Sequence, residues 1–167
     1  MRAGRRPRFL AKDDLFRIPV VGRALRGAGQ IPVDRGKPGD PSPLLGARAA
    51  LQQGEVVVVY PEGTVTNNSD FTPMRAKTGV VRLSLASGVP VVPMASWGSQ
   101  AVWQKAGRGS LRFGRPIWVK IGSPIDLSTR GRSQDERSAL RELTDEVMKE
   151  IASLVDDLRA RYPKRWP

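Results

Sequence analysis

The chain has 167 residues, 40% of them apolar, which is enough for one sizeable core. It contains no cysteine, which excludes a disulfide framework, a cysteine nucleophile and a thiolate metal site. It contains no histidine, which excludes a Ser-His-Asp triad and a His-ligated zinc, and its 28 Lys+Arg against 16 Asp+Glu leave a net charge of +12.

In chain order, residues 8–11 read as a short strand. Asp13 or Asp14 caps a helical turn from Leu15, which Pro19 interrupts. A second short helix over 20–26 stops at Gly27 or Gly29, and 30–33 is a short strand. Residues 37–43 form a loop rich in Pro, Gly and Asp. Ser42 as N-cap, Pro43 at the first helical position and Gly54 as a stop frame a helix over 43–53. The run Val56-Val57-Val58-Val59-Tyr60 suits a strand buried on both faces. A polar loop over 61–75 leads to a helix over 76–87 that stops at Gly88, and 89–95 is the next buried strand. Strand, helix and strand over 56–95 make a right-handed βαβ unit.

Residues 111–113 and 117–121 are two further strand candidates. The segment Ser133-Gln134-Asp135-Glu136 reads as a capping box. Beyond it Leu140, Leu143, Val147, Ile151, Leu154 and Leu158 recur at helical spacing, one apolar stripe that ends before Pro163. This is the pattern of a helix packed on its own sheet. The expected fold class is therefore α/β: a mostly parallel central sheet flanked by helices, with a C-terminal amphipathic helix. Residues 1–122 form the α/β region, and 123–167 extend the same domain with the packing helix.

Residues 1–8 are basic, but no apolar stretch follows, so no signal peptide is read here. The longest uncharged run, 83–104, is broken by Gly88, Pro90, Pro93 and Gly98, so it reads as a helix end, a turn and a strand, not a membrane span. Charge is uneven: residues 1–132 hold 21 cations and 8 anions, residues 133–167 hold 7 and 8. Such a bias points to an anionic partner (nucleic acid, a phospholipid surface or a phosphorylated substrate) or, equally on charge alone, to a basic surface of solvated arginines. Aromatic residues, at 6%, are not interleaved with the cations, which disfavours base stacking, and no nucleic-acid-binding signature is present.

Ligands of open α/β sheets bind beyond the carboxyl ends of the strands. Just past the 56–60 strand stand Pro61, Glu62, Gly63 and Thr64. Glycine allows close backbone approach, threonine supplies a hydroxyl and an amide, and glutamate can orient a cation or a hydroxyl. An ordinary turn has the same composition. Arg35, after the 30–33 strand, can offer a bidentate fork to phosphate, or pair with Asp34 at the surface. Lys77 opens the 76–87 helix, where the helix dipole disfavours a cation unless an anion lies nearby; a solvated lysine is the plainer reading.

Together these pieces carry a resemblance. Gly29-x-Ile31-x-x-x-Arg35, then Tyr60-Pro61-Glu62-Gly63-Thr64 about 25 residues on, then Lys77-Thr78-Gly79 and Val89-Pro90-Val91-Val92-Pro93 resemble the glycerolipid acyltransferase family. Its best-known members are the 1-acylglycerol-3-phosphate (lysophosphatidate) acyltransferases. The lead-in Phe9-Leu10-Ala11-Lys12-Asp13-Asp14-Leu15-Phe16 and Ile18-Pro19-Val20-Val21-Gly22 fit the same pattern, so the resemblance covers about residues 8–98.

The resemblance implies acyl transfer from acyl-CoA or an acyl-carrier protein thioester to the hydroxyl of lysophosphatidate, in phosphatidic acid synthesis. It implies no cofactor, no metal and no nucleic acid, and a peripheral place on the cytoplasmic face of an anionic membrane. Arg35 and the triplet Glu62, Gly63 and Thr64 match residues that bind the glycerol phosphate, Lys77 adds a cation, and the stretch 89–93 shapes the acyl-donor side. Two departures stand out. Val65 replaces the family's arginine after Glu-Gly-Thr, a contact that Arg75 or Lys77 could supply. The family's Asn-His-x4-Asp motif, whose histidine deprotonates the acceptor, lies upstream of the stretch matching 8–16 and is absent here. The expectation is a domain incomplete at its N-terminus, with no catalytic residue of its own and inactive alone. The alternative is a non-enzymatic basic module that binds anionic lipid or phosphate.

Overall fold

The computed structural model describes residues 5–34, 44–102, 114, 116–128 and 135–163. The chain divides into two compact units, one from Met1–Tyr60 with Arg82–Val89, the other from Pro61–Val81 with Pro90–Pro167.

The first unit is built on three parallel strands, β1 (Pro7–Lys12), β2 (Ile31–Val33) and β3 (Val56–Val58), in the order β2-β1-β3. Leu10 lies opposite Ile31, and Phe9 opposite Val58. Pro32 has no N–H to donate, and its strand stands at a sheet edge, where that loss is tolerated. Two short helices, α1 (Asp13–Arg17) and α2 (Pro19–Gly27), follow β1, and Pro19 sets the corner between them. The helix α3 (Leu45–Gln52) ends before Gly54, whose φ of 76° suits glycine. Ala47 and Ala50 present a small-residue face, so α3 approaches closely enough to bury Ile31 and Leu83, with Leu10, Leu51, Val57 and Val59 around them. Arg8 ties the layers, donating to Gly29 O at 3.3 Å and to Glu55 Oε1 at 2.5 Å.

The second unit holds an antiparallel pair, β4 (Met94–Trp97) and β5 (Trp118–Ile121), covered on one face by the 26-residue helix α5 (Glu136–Arg161). The helix α4 (Gly79–Ser87) contributes Val80 and Val81 to this unit. Val81, Ile125, Leu127, Leu140, Leu143 and Val147 form one cluster; Ala95, Leu154, Val155 and Leu158, with Trp97 and Trp118, form another. The predicted stripe on α5 is the packed face: five of its six residues are buried, and Ile151 packs at the margin. The helix cap is Asp135, whose carboxylate accepts from Arg137 N at 3.2 Å and Ser138 N at 3.0 Å. Ser133, where the capping box was expected to start, lies outside the described residues.

Three expectations are corrected. The run 56–60 is not buried on both faces: β3 stops at Val58, Val56 is exposed and Tyr60 is 68% exposed. Among the described residues it pairs with β1 alone, as the outer strand of the three-strand sheet. The run 89–95 does not continue a parallel βαβ sheet: Met94–Trp97 pairs antiparallel with β5, and Val91 bridges Ile125 in the same sense. Its residues alternate, Met94 and Ser96 outward, Ala95 and Trp97 toward α5, because one face alone is covered. The first helix has no side-chain cap; Asp13 and Asp14 lie in its first turn instead. The candidate strand 111–113 lies outside the described residues. No helix among the described residues is long and apolar enough to cross a membrane.

Candidate functional site: the loop between Pro61 and Lys77

The second unit opens with a loop closed on itself at its root. Lys77 N donates to Pro61 O at 2.9 Å, so the two ends of the segment lie side by side. Gly63 adopts φ 71°, a left-handed conformation that side chains disfavour, and turns the chain immediately after Glu62. The Glu62 carboxylate points back across the loop and accepts from Met74 N at 2.9 Å. Thr64 and Lys77 are exposed. Arg75 is exposed as well, and neither cation forms an ion pair with a described residue. The root thus carries two exposed polar side chains, the Thr64 hydroxyl and the Lys77 ammonium, on a loop whose two ends lie side by side. That chemistry suits an anion with oxygen acceptors.

The distal part of the loop is a compact polar turn. Thr66 Oγ1 donates to Thr72 O at 2.9 Å, and Asn68 Nδ2 donates to the same carbonyl at 3.1 Å. The Thr72 hydroxyl, and then its amide, donate to Asp70, holding that carboxyl below the ordinary range. Phe71, at φ 59°, is turned so that its ring meets the edge of Trp97, centroids 6.4 Å apart. The Arg159 guanidinium covers Trp97 at 5.2 Å.

The sequence reading missed how this loop is held. Arg141 on α5 donates to Ala76 O at 2.8 Å, beside the root, and Arg159 on the same helix backs the Phe71–Trp97 pair. Both arginines are more than sixty residues from the loop in sequence, and in a helical pattern each reads as an ordinary cation flanking the apolar stripe. Only the packing of α5 shows their use.

Of the predicted site residues, the structure brings Glu62, Gly63, Thr64 and Lys77 to one loop root. Glu62 serves there as a brace between the start and the end of the loop. Arg35 lies outside the described residues. Among the described residues, no group of three carboxylates gathers to hold a metal ion.

A parallel α/β sheet preceding a Pro-Glu-Gly-Thr turn defines a class that comparison identifies. The family model described as Acyltransferase matches residues 1–97, and the chain belongs to that family. It is 28% identical over 152 residues to the 1-acyl-sn-glycerol-3-phosphate acyltransferase of Bacillus subtilis, covering 90% of this chain and 71% of the relative. The mouse 1-acyl-sn-glycerol-3-phosphate acyltransferase alpha is 31% identical over 133 residues, covering 78% of this chain and 45% of that protein. The crystal structure of the Thermotoga maritima 1-acyl-sn-glycerophosphate (LPA) acyltransferase, PlsC, superposes with a TM-score of 0.63 at 27% identity, covering 95% of this chain and 59% of that one. The chain thus spans under half of the mouse protein and about three fifths of the Thermotoga protein.

Proposed function

We propose that this chain is the substrate-binding part of a glycerolipid acyltransferase that esterifies lysophosphatidate with an acyl group from acyl-CoA or an acyl-carrier protein thioester. The observation that carries the reading is the closed loop root: the Lys77–Pro61 backbone bond places the Glu62-Gly63-Thr64 turn beside a lysine with no ion-pair partner among the described residues. The relatives named as 1-acyl-sn-glycerol-3-phosphate acyltransferases support the substrate class. Thr64 and Lys77 take the phosphate by charge-assisted hydrogen bonds, and Arg35 adds a fork. Residues 1–122 and the extension 123–167 work as one domain in this reading. The chain acts peripherally, on the cytoplasmic face of an anionic membrane, and its +12 charge favours that surface.

In the reaction the acceptor hydroxyl attacks the thioester carbonyl, the C–S bond breaks to release the thiol, and a base removes the hydroxyl proton. This chain holds no histidine, and the Glu62 carboxylate is committed to Met74 N. General-base assistance is worth about a hundred- to ten-thousand-fold in rate. The 167 residues therefore bind lysophosphatidate with little turnover.

Calorimetry with lysophosphatidate and monoacylglycerol tests this. A preference of at least about 1 kcal/mol for the phosphate-bearing lipid is expected, the scale of one charge-assisted hydrogen bond. Lys77→Gln and Arg35→Ala each erase much of it. Equal binding of both lipids by the unaltered chain refutes the site, and rapid turnover by the 167 residues refutes the missing base.

A further inference from the structure

The corner between α1 and α2 turns its apolar side outward. Leu15, Ile18, Val20 and Val21 are 40%, 45%, 77% and 41% exposed, four large apolar side chains within seven residues. Along α2, Val20, Val21 and Ala24 share one side and Arg23 and Arg26 the other. A surface helix ordinarily buries its apolar stripe; here that stripe faces solvent.

The corner is firmly built. Phe16 and Gly22 are buried. A Cβ at Gly22 would overlap the Phe16 carbonyl, so only glycine lets the helices cross this closely. Arg26 Nη1 donates to that same carbonyl at 2.8 Å, and Gly22 N donates to Ile18 O at 2.7 Å. The apolar side chains are thus presented on a held scaffold. Exposed cations neighbour them in sequence: Arg23 on α2, and Arg5 and Arg6 just before β1, form no ion pair with a described residue, while Lys12 and Arg17 pair with Asp14 and Asp13 on α1. Residues 1–33 carry 8 cations and 2 anions, a net +6.

We propose that the α1–α2 corner docks this chain on an anionic bilayer, with Val20, Val21 and Ile18 entering the boundary between headgroups and acyl chains and the arginines at phosphate level. This deepens the lipid reading above and rests on it. Apolar residues on one side of a helix with arginines on the other are what such a surface selects, and long arginine stems reach out to the headgroups. A second copy of this chain fits worse. It would set net-positive segments face to face, and a stable dimer takes roughly 20–30 residues a side, more than this corner offers.

The test is co-sedimentation with vesicles of equal parts phosphatidylglycerol and phosphatidylcholine, and with phosphatidylcholine alone. The chain should bind the anionic vesicles, and added salt should weaken that binding. Val20→Asp/Val21→Asp should lower it at least about tenfold, with the melting curve unchanged. Ile121→Asp, at an exposed apolar position on β5, should leave binding as it was. If the aspartates disturb folding, Val20→Thr/Val21→Thr keeps the shape and the result is read there. Retained vesicle binding in the folded valine variants, or its loss in folded Ile121→Asp, overturns the corner while leaving the lipid reading intact. A chain that self-associates through Val20, seen by sedimentation velocity, overturns it in favour of a second copy. Binding to neither vesicle overturns membrane docking altogether, whereas the phosphate preference measured by calorimetry reports the site independently.

Discussion

Replacing Arg141 with alanine tests whether α5 positions the site loop. The Arg141 guanidinium donates to Ala76 O at 2.8 Å, and Ala76 is only 4% exposed. A hydrogen bond from a charged donor contributes about 1.5–3 kcal/mol, and a buried carbonyl left without its partner costs a similar amount. Because the Arg141 side chain is 31% exposed, water replaces part of the bond and the lower end applies, about 1.5 kcal/mol. Its other contact, Asp145 at 3.8 Å on a largely exposed turn of helix, adds little. If the loss were global, the melting temperature would fall roughly 3–6 °C for a chain of this size. If the loop alone opens, its open population rises about tenfold. Ala76 precedes Lys77, whose amide closes the root on Pro61, so the opening displaces the Glu62-Gly63-Thr64 turn. Limited proteolysis should cut sooner within 62–75, by up to about the same factor, and lysophosphatidate affinity, measured by calorimetry, should fall in proportion to the loss of the closed fraction. Arg141→Lys, with a point charge on a shorter reach, should recover part of both. Unchanged affinity and proteolysis in a folded Arg141→Ala chain would refute the claim that this arginine holds the loop.

Leu127 is 1% exposed at the centre of the larger cluster of the second unit, so Leu127→Ala should cost about 2–5 kcal/mol in denaturant unfolding. The Asp135 carboxyl is held below its ordinary value of 3.8 by the Ser138 hydroxyl, then the Ser138 amide, then the Arg137 amide. A depressed carboxyl stabilises the fold above its unfolded value, and that contribution is lost as pH falls from there through the lower folded value. The first turn of α5 should therefore fray in acid, and Asp135→Asn, which still caps, should flatten this part of the pH profile in hydrogen exchange.

How much was legible beforehand differs from element to element. The α5 stripe was readable because a period of 3.6 over a long segment has no competing explanation, and the same residues are the packed face. The helix α3 was readable from its C-terminal glycine, and the first two strands from their punctuation. The loop residues 62–64 and Lys77 were singled out by their order and spacing, and the structure sets them at one loop root; their use on a phosphate is the proposal made above. The valine-rich runs misled. Val56-Val57-Val58 and Val89-Pro90-Val91-Val92 look alike in composition, and composition does not say which strand will lie beside which.

What the residue order determined by itself was local: where helices start and stop, which face of α5 is apolar, and which short motif belongs to the acyltransferase family. Tertiary structure alone decided the rest: the antiparallel pairing of β4 with β5, the edge place of β3, and the use of Arg141 and Arg159 to hold a loop far away in sequence. The physical reason is that propensity and periodicity act over a few residues. Strand partners and long arginine contacts depend on which faces remain open once the helices have packed, and no short window of sequence contains that information.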